Sequence, residues 1–188
     1  LTECEKAGNP NMPLISTSFS KVSFSGAAVA AMAASKSNIE YIKKRLTVQA
    51  IGPDKLNQLR HVRFFKDADG VRAHMKKHAA ILRPKFAAVL DKLEEELTPY
   101  GVAAWEKPTG GYFVSVNVAE GTAKRVVQLC KEAGVVLTGA GATYPYGKDP
   151  HDRNIRLAPT FPPLAEVKQA IELFCICTKL AAVEKQLG

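Results

Sequence analysis

Ser16-Thr17-Ser18-Phe19-Ser20-Lys21-Val22-Ser23-Phe24-Ser25-Gly26-Ala27-Ala28-Val29-Ala30 sets one lysine among hydroxyls and small side chains. Before it, residues 1–20 are polar and broken by Asn9-Pro10-Asn11-Met12-Pro13, which predicts a loop leading into a short strand, Leu14–Thr17. From Lys21 to Ala34 helical periodicity is weak and residues are small, which predicts a loop and then a buried strand. A lysine directly after a strand is placed to be held in a tight pocket. Desolvation, or a neighbouring cation, favours its neutral amine, and a neutral amine forms imines with aldehydes. Serine hydroxyls beside it can donate hydrogen bonds to a phosphate. The plain alternative is a surface lysine, because these residue types are common and their spacing is a weak rule.

Outward from this stretch, Ser35–Leu46 reads as a helix, with Ser37 and Glu40 in capping-box spacing and Lys43, Lys44 and Arg45 towards its C-terminal end. A second helix is expected from Pro53 to Phe65, with Asp54 in its first turn and Leu56, Leu59 and Val62 as its apolar stripe. Asp67-Ala68-Asp69-Gly70 reads as a turn and marks the expected domain boundary, dividing residues 1–66 from 67–188. Val71, Met75, His78, Leu82, Phe86, Val89, Leu93 and Leu97 then follow steps of three and four, the pattern of one long amphipathic helix interrupted by Pro84. Next come strands around Trp105–Val118, a helix over Thr122–Ala133, a short strand at Val135–Leu137 and a Gly/Pro/Tyr-rich loop over Thr138–Asp152. A strand over Asn154–Ala158 and a helix opened by Pro162-Pro163 close the chain; the helix stripe is Leu164, Val167, Ile171, Phe174, Cys175 and Thr178. Helices against one face of a small, largely antiparallel sheet make the second part an α+β sandwich.

Arg156 is the second chemically suggestive residue. In its strand, Ile155 and Leu157 face one side and Arg156 the other. A guanidinium there is placed for two-pronged carboxylate binding, or for an internal ion pair with an acidic neighbour.

The 188 residues carry 26 Lys+Arg against 18 Asp+Glu, a net charge of +8. With 46% hydrophobic and 23% charged residues the composition is that of a globular protein and excludes a disordered chain. The basic residues are spread over several helices rather than gathered in a stripe, so neither nucleic acid nor membrane is expected as a partner. Four scattered cysteines point to a reducing cytoplasm rather than a disulfide scaffold. Gly139-Ala140-Gly141 lacks the following helix that a dinucleotide site requires. Cys175 and Cys177, two apart on a helix, point to different sides, and the four histidines show no metal-ligand spacing, so no metal is expected. Glu94-Glu95-Glu96 reads as a solvated helix end.

STSFSKVSFSGAAVA resembles the cofactor-lysine segment of fold-type I pyridoxal-phosphate aminotransferases. IGPDKLNQLRHVRFF, AHMKKHAAILRPKF, WEKPTGGYFVSVNV, GVVLTGAGATYPYGKDP and DRNIRLAPTFP resemble, in order, the MocR-type group that includes bacterial aspartate aminotransferases. The resemblance implies the C-terminal part of a longer enzyme: residues 1–66 as the end of an α/β large cofactor-binding domain, and 67–188 as the small α+β domain. It implies pyridoxal 5'-phosphate as cofactor, an amino acid and a 2-oxo acid as substrates (aspartate and 2-oxoglutarate), and a homodimer. Lys21 matches the lysine that holds the cofactor as a Schiff base and moves the substrate α-proton. Ser18 matches a phosphate-binding hydroxyl, and Arg156 the arginine that clamps the α-carboxylate. Gly110-Gly111-Tyr112-Phe113 matches a small-domain strand near the substrate entrance. One departure is plain: where many of these enzymes carry a phosphate-binding arginine, eight positions after the lysine, this chain has Val29, so that contact falls to Ser18, Ser20 or groups elsewhere. The partner of the pyridinium nitrogen, the ring-stacking aromatic and the phosphate loop are expected upstream, which leaves the isolated chain inactive. Two alternatives remain: the effector-binding domain of a transcription regulator, and a fragment with no activity of its own.

Overall fold

The computed structural model describes residues 1–23, 26, 27 and 29–188, in two compact units, Leu1–Ala79 and Ala80–Gly188. Phe24, Ser25 and Ala28, part of the expected loop-and-strand segment, lie outside the described residues.

The first unit opens with a short helix the sequence did not suggest, α1 (Thr2–Lys6), stapled by a Lys6–Glu3 ion pair. Strands β1 (Ile15–Ser18) and β2 (Ala30–Ala33) then pair antiparallel, Ile15 opposite Ala33 and Ser18 opposite Ala30. Every residue of both strands is exposed, so the strand expected to be buried is not. Among the described residues, the buried side chains of this unit are instead Ser23, Ala27, Asn57, His61 and Phe65. Helix α2 (Lys36–Gln49) starts at Ser35, whose hydroxyl accepts from Asn38 N at 3.3 Å. Ser37 is not the cap; its hydroxyl, like that of Ser35, donates to Asn11 Oδ1, which ties the N-terminal loop to the helix start. The helix runs one turn past Arg45, whose guanidinium lies 3.6 Å over the Tyr41 ring.

Helix α3 (Lys55–Phe65) is capped by Asp54, which accepts from Asn57 N at 3.0 Å. Its expected apolar stripe, Leu56, Leu59 and Val62, is exposed, and Asn57, His61 and Phe65 are buried. Part of the surface that covers this face is irregular backbone at Ser23 and Ala27. Buried peptide groups need hydrogen-bond partners there, and an aliphatic stripe has none to offer.

Helix α4 (Ala68–Leu97) is capped by Asp67, which accepts from Gly70 N at 2.8 Å. Residue 70 passes very close to the end of α3, where a Cβ would stand 1.8 Å from Phe65 O. Gly70→Ala should therefore destabilise the protein by about 1–3 kcal/mol, although alanine is the better helix former. A lowered urea midpoint is the expected measurement. The units divide within α4, between Ala79 and Ala80, and its first turns pack on α3: the His74 ring lies 5.3 Å from that of Phe65.

In the second unit, strands β3 (Ala103–Trp105), β4 (Val114–Val118) and β5 (Asn154–Leu157) form an antiparallel sheet in the order β3-β4-β5. Alternation sorts the faces: Val114, Val116, Val118, Ile155 and Leu157 are buried, and Ser115, Asn117 and Arg156 point the other way. The apolar face meets Val89, Leu93 and Leu97 of α4, Val126 of α5 (Ala123–Glu132) and Ile171 and Phe174 of α6 (Leu164–Leu187) in one core. Cys130, Cys175 and Cys177 are buried in it, all free; desolvation pushes the Cys130 and Cys175 thiols up to about 12, so they act as small apolar fillers. Val135–Leu137 is not a strand. Gly134, at φ 93°, turns the chain, Val135 N returns to Cys130 O at 2.8 Å, and Val136 is 82% exposed; β-structure needs a neighbour to complete its ladder. No described helix is long and apolar enough to cross a membrane.

Candidate active site

The chain leaves β1 at Ser18 and turns at once. Phe19 O accepts from both Val22 N (3.0 Å) and Ser23 N (2.9 Å), so residues 19–23 close on themselves with Lys21 in the bend. Ser18 Oγ donates to Ser20 Oγ at 2.9 Å and accepts from Ser20 N at 3.2 Å. The two hydroxyls are thus brought together on either side of Phe19, directly before the lysine. Lys21 itself is exposed, so the described residues of this unit do not build the enclosing pocket its sequence surroundings predict.

Beneath the turn lies a set of buried polar side chains that sequence reasoning missed. His61 Nε2 is 2.9 Å from Ser23 Oγ, and its Nδ1 donates to Asn57 O at 2.8 Å. Asn57 Nδ2 donates to Ala27 O at 2.7 Å. His74 Nε2 donates to Ser23 O at 3.2 Å, and the Phe19 ring meets the His61 ring edge-on at 5.8 Å. The overlooked signal is the i, i+4, i+8 spacing of Asn57, His61 and Phe65, which marks a second face of α3.

Arg156 belongs to the second unit, on β5 opposite Ser115 of β4. Its guanidinium lies 4.4 Å over the Phe113 ring, and among the described residues it makes no ion pair. The internal salt-bridge reading therefore fails. Arg156 Nε is buried with no hydrogen-bond partner among the described residues. A buried donor without an acceptor costs about 1–3 kcal/mol, and the rest of the half-exposed guanidinium is open to an anion, so the arrangement is suited to carboxylate binding. Two residues before it, Asn154 anchors the strand start. Its Nδ2 donates to Ser115 Oγ (3.0 Å) and Asn117 Oδ1 (2.8 Å), and its Oδ1 accepts from Thr143 of the long loop (2.6 Å). Asp149 Oδ2 accepts from Arg153 N and Asn154 N, each at 2.8 Å. Partial burial pulls the Asp149 carboxyl up, but the backbone N–H groups of Asn154, Arg153 and His151 together hold it below the usual carboxylate range. Phe113, expected only as part of a small-domain strand, is the surface on which Arg156 rests.

A family model described as "Aspartate amino-transferase" matches residues 1–188. An aspartate aminotransferase of Corynebacterium glutamicum is 49% identical over 180 residues, which are 96% of this chain and 42% of that protein. The crystal structure of a putative aminotransferase from Corynebacterium diphtheriae superposes with a TM-score of 0.90 at 52% identity, covering 96% of this chain and 44% of that one. LysN of Thermus thermophilus, an α-aminoadipate aminotransferase complexed with N-(5'-phosphopyridoxyl)-L-leucine, shares the fold at TM-score 0.74 and 19% identity, over 96% of this chain and 45% of its own. The chain thus spans less than half the length of these relatives.

Proposed function

Because this chain belongs to the aspartate aminotransferase family, we propose that it is the C-terminal part of a MocR-type, pyridoxal-phosphate-dependent transaminase that moves an amino group between aspartate and 2-oxoglutarate. The full-length enzyme is on this reading a cytoplasmic homodimer, and the 188-residue chain alone is inactive. The Nε of Arg156, buried and without a hydrogen-bond partner among the described residues, is the observation that carries it, since a carboxylate would satisfy that donor. The donor set near the other candidate residue also fits the cofactor: an exposed primary amine for its aldehyde, with two hydroxyls 2.9 Å apart just before it for phosphate oxygens. When bound, pyridoxal phosphate supplies an electron sink for the charge left at the substrate α-carbon.

The roles of the chain's own residues follow from their chemistry. Lys21 Nζ would hold the cofactor at its aldehyde carbon, with water as the leaving group, and as a free amine it would take the substrate α-proton and return it, as a general base and then a general acid. Ser18 and Ser20 would hold phosphate oxygens in place of an arginine at the position of Val29, Ser18 turning its hydroxyl proton from Ser20 Oγ to the phosphate. Arg156 grips the α-carboxylate with two parallel N–H bonds, and Phe113 beneath it limits the guanidinium to one plane. Orientation of the carboxylate fixes which bond at the α-carbon faces the base.

Borohydride reduction of the full-length holoenzyme, followed by peptide mass mapping, tests this reading. The expected result is a phosphopyridoxyl group on Lys21; a label on any other lysine overturns it.

A further inference from the structure

The polar face of α3 has a use that helix packing alone does not require. Ser23 is 3% exposed, and its backbone N, backbone O and hydroxyl are all engaged: the N–H donates to Phe19 O, the carbonyl accepts from His74, and the one hydroxyl proton is offered to His61 Nε2, with Phe19 O the alternative acceptor at 3.0 Å. His61 is 7% exposed, and its second nitrogen is bonded to its own helix at Asn57 O. A rigid chain of hydrogen bonds thus runs from α3 through the imidazole to Ser23, and from Ser23 back to Phe19, closing the bend that carries Lys21. On the far side of the same stretch, Asn57 of the preceding helical turn holds Ala27 O. Exposed loop tips are otherwise where chains are mobile, and an amine that must reach one carbon atom needs a fixed root.

We propose that His61 is the positioning residue for Lys21, holding Ser23 and with it the 19–23 turn so that the amine is presented at one place and in one direction. This rests on the reading of Lys21 above. His61 touches neither substrate nor cofactor in this role; it acts through the backbone of the bend. An aliphatic residue at position 61 would fill the space without gripping the hydroxyl.

The test uses the full-length enzyme with His61→Phe, His61→Gln and Ser23→Ala. Phenylalanine keeps a ring against Phe19 and Phe65 and removes both nitrogens, whereas glutamine retains a polar group able to meet Ser23. Pyridoxal phosphate is mixed with each apoenzyme, and the rise of the lysine-bound absorption band is timed alongside kcat and KM for the amino acid. Expected for His61→Phe is a rate of attachment and a kcat lowered between about ten- and a hundredfold, with KM changed less than about threefold, and substantial recovery in His61→Gln. Ser23→Ala, which leaves the helix intact, should show the same loss and serves if His61→Phe does not fold. Wild-type rates in Ser23→Ala, or equal losses in His61→Phe and His61→Gln, overturn the proposal. Failure of the underlying reading is seen separately, as wild-type cofactor mapping to a lysine other than Lys21.

Discussion

Lys21→Ala in the full-length enzyme is expected to lower kcat for transamination by about four orders of magnitude, the range spanned by loss of a well-placed general acid–base group. The two hydroxyls nearest in sequence offer no replacement, because a serine hydroxyl is not a base at neutral pH, and each is already hydrogen-bonded to the other's residue. Stability should hardly change. Lys21 is exposed, and substitutions at such positions stay within about 0.5 kcal/mol, so an unshifted thermal midpoint separates lost chemistry from lost structure. Retained turnover with an unshifted midpoint would remove Lys21 from the mechanism.

Arg156→Lys should raise KM for the amino-acid substrate by roughly ten- to a hundredfold, since losing one charge-assisted hydrogen bond costs about 1.5–3 kcal/mol. The charge is kept but the planar pair of donors is not, and an ammonium at the end of a flexible stem cannot stack on Phe113 as the guanidinium does at 4.4 Å. The fold should tolerate the change, because Arg156 has no ion-pair partner among the described residues to leave behind. Steady-state kinetics over a range of amino-acid concentrations gives the result. An unchanged KM would mean that the carboxylate is held by another group.

Much of the second unit was legible in the sequence because its signals are long and local. The steps of three and four from Leu82 to Leu97 appear as the part of α4 in this unit, the alternation around Val116 as β4, and the stripe Val167–Ile171–Phe174 as the buried side of α6. The first unit was harder. Helices α2 and α3 were placed nearly correctly and α1 was missed, yet α3 turned the wrong side inward on the expected pattern: Leu56 and Val62 are exposed at 63% and 62%, and Asn57 and His61 are buried. Hydrophobic periodicity assumes that a helix meets an apolar surface, whereas part of the surface α3 meets is unpaired backbone, where hydrogen-bonding side chains are worth more than methyl groups.

By itself the sequence determined which segments form the longer helices and most of the sheet strands, and it put forward a lysine among hydroxyls and an arginine between apolar strand neighbours as the candidates for reactive chemistry. Those are properties of side-chain type and short-range spacing. Only the tertiary structure decided that Ser35 rather than Ser37 caps α2, that Val135–Leu137 has no ladder to join, that Phe113 carries the Arg156 guanidinium, and that His61 grips Ser23. Each of these depends on a partner chosen by packing: Asn11 for the serines, a missing neighbour strand for residues 135–137, a facing ring and a facing hydroxyl for the other two. A hydrogen bond or a stacked ring needs two groups within a few ångströms, and for most of these the second lies dozens of residues away.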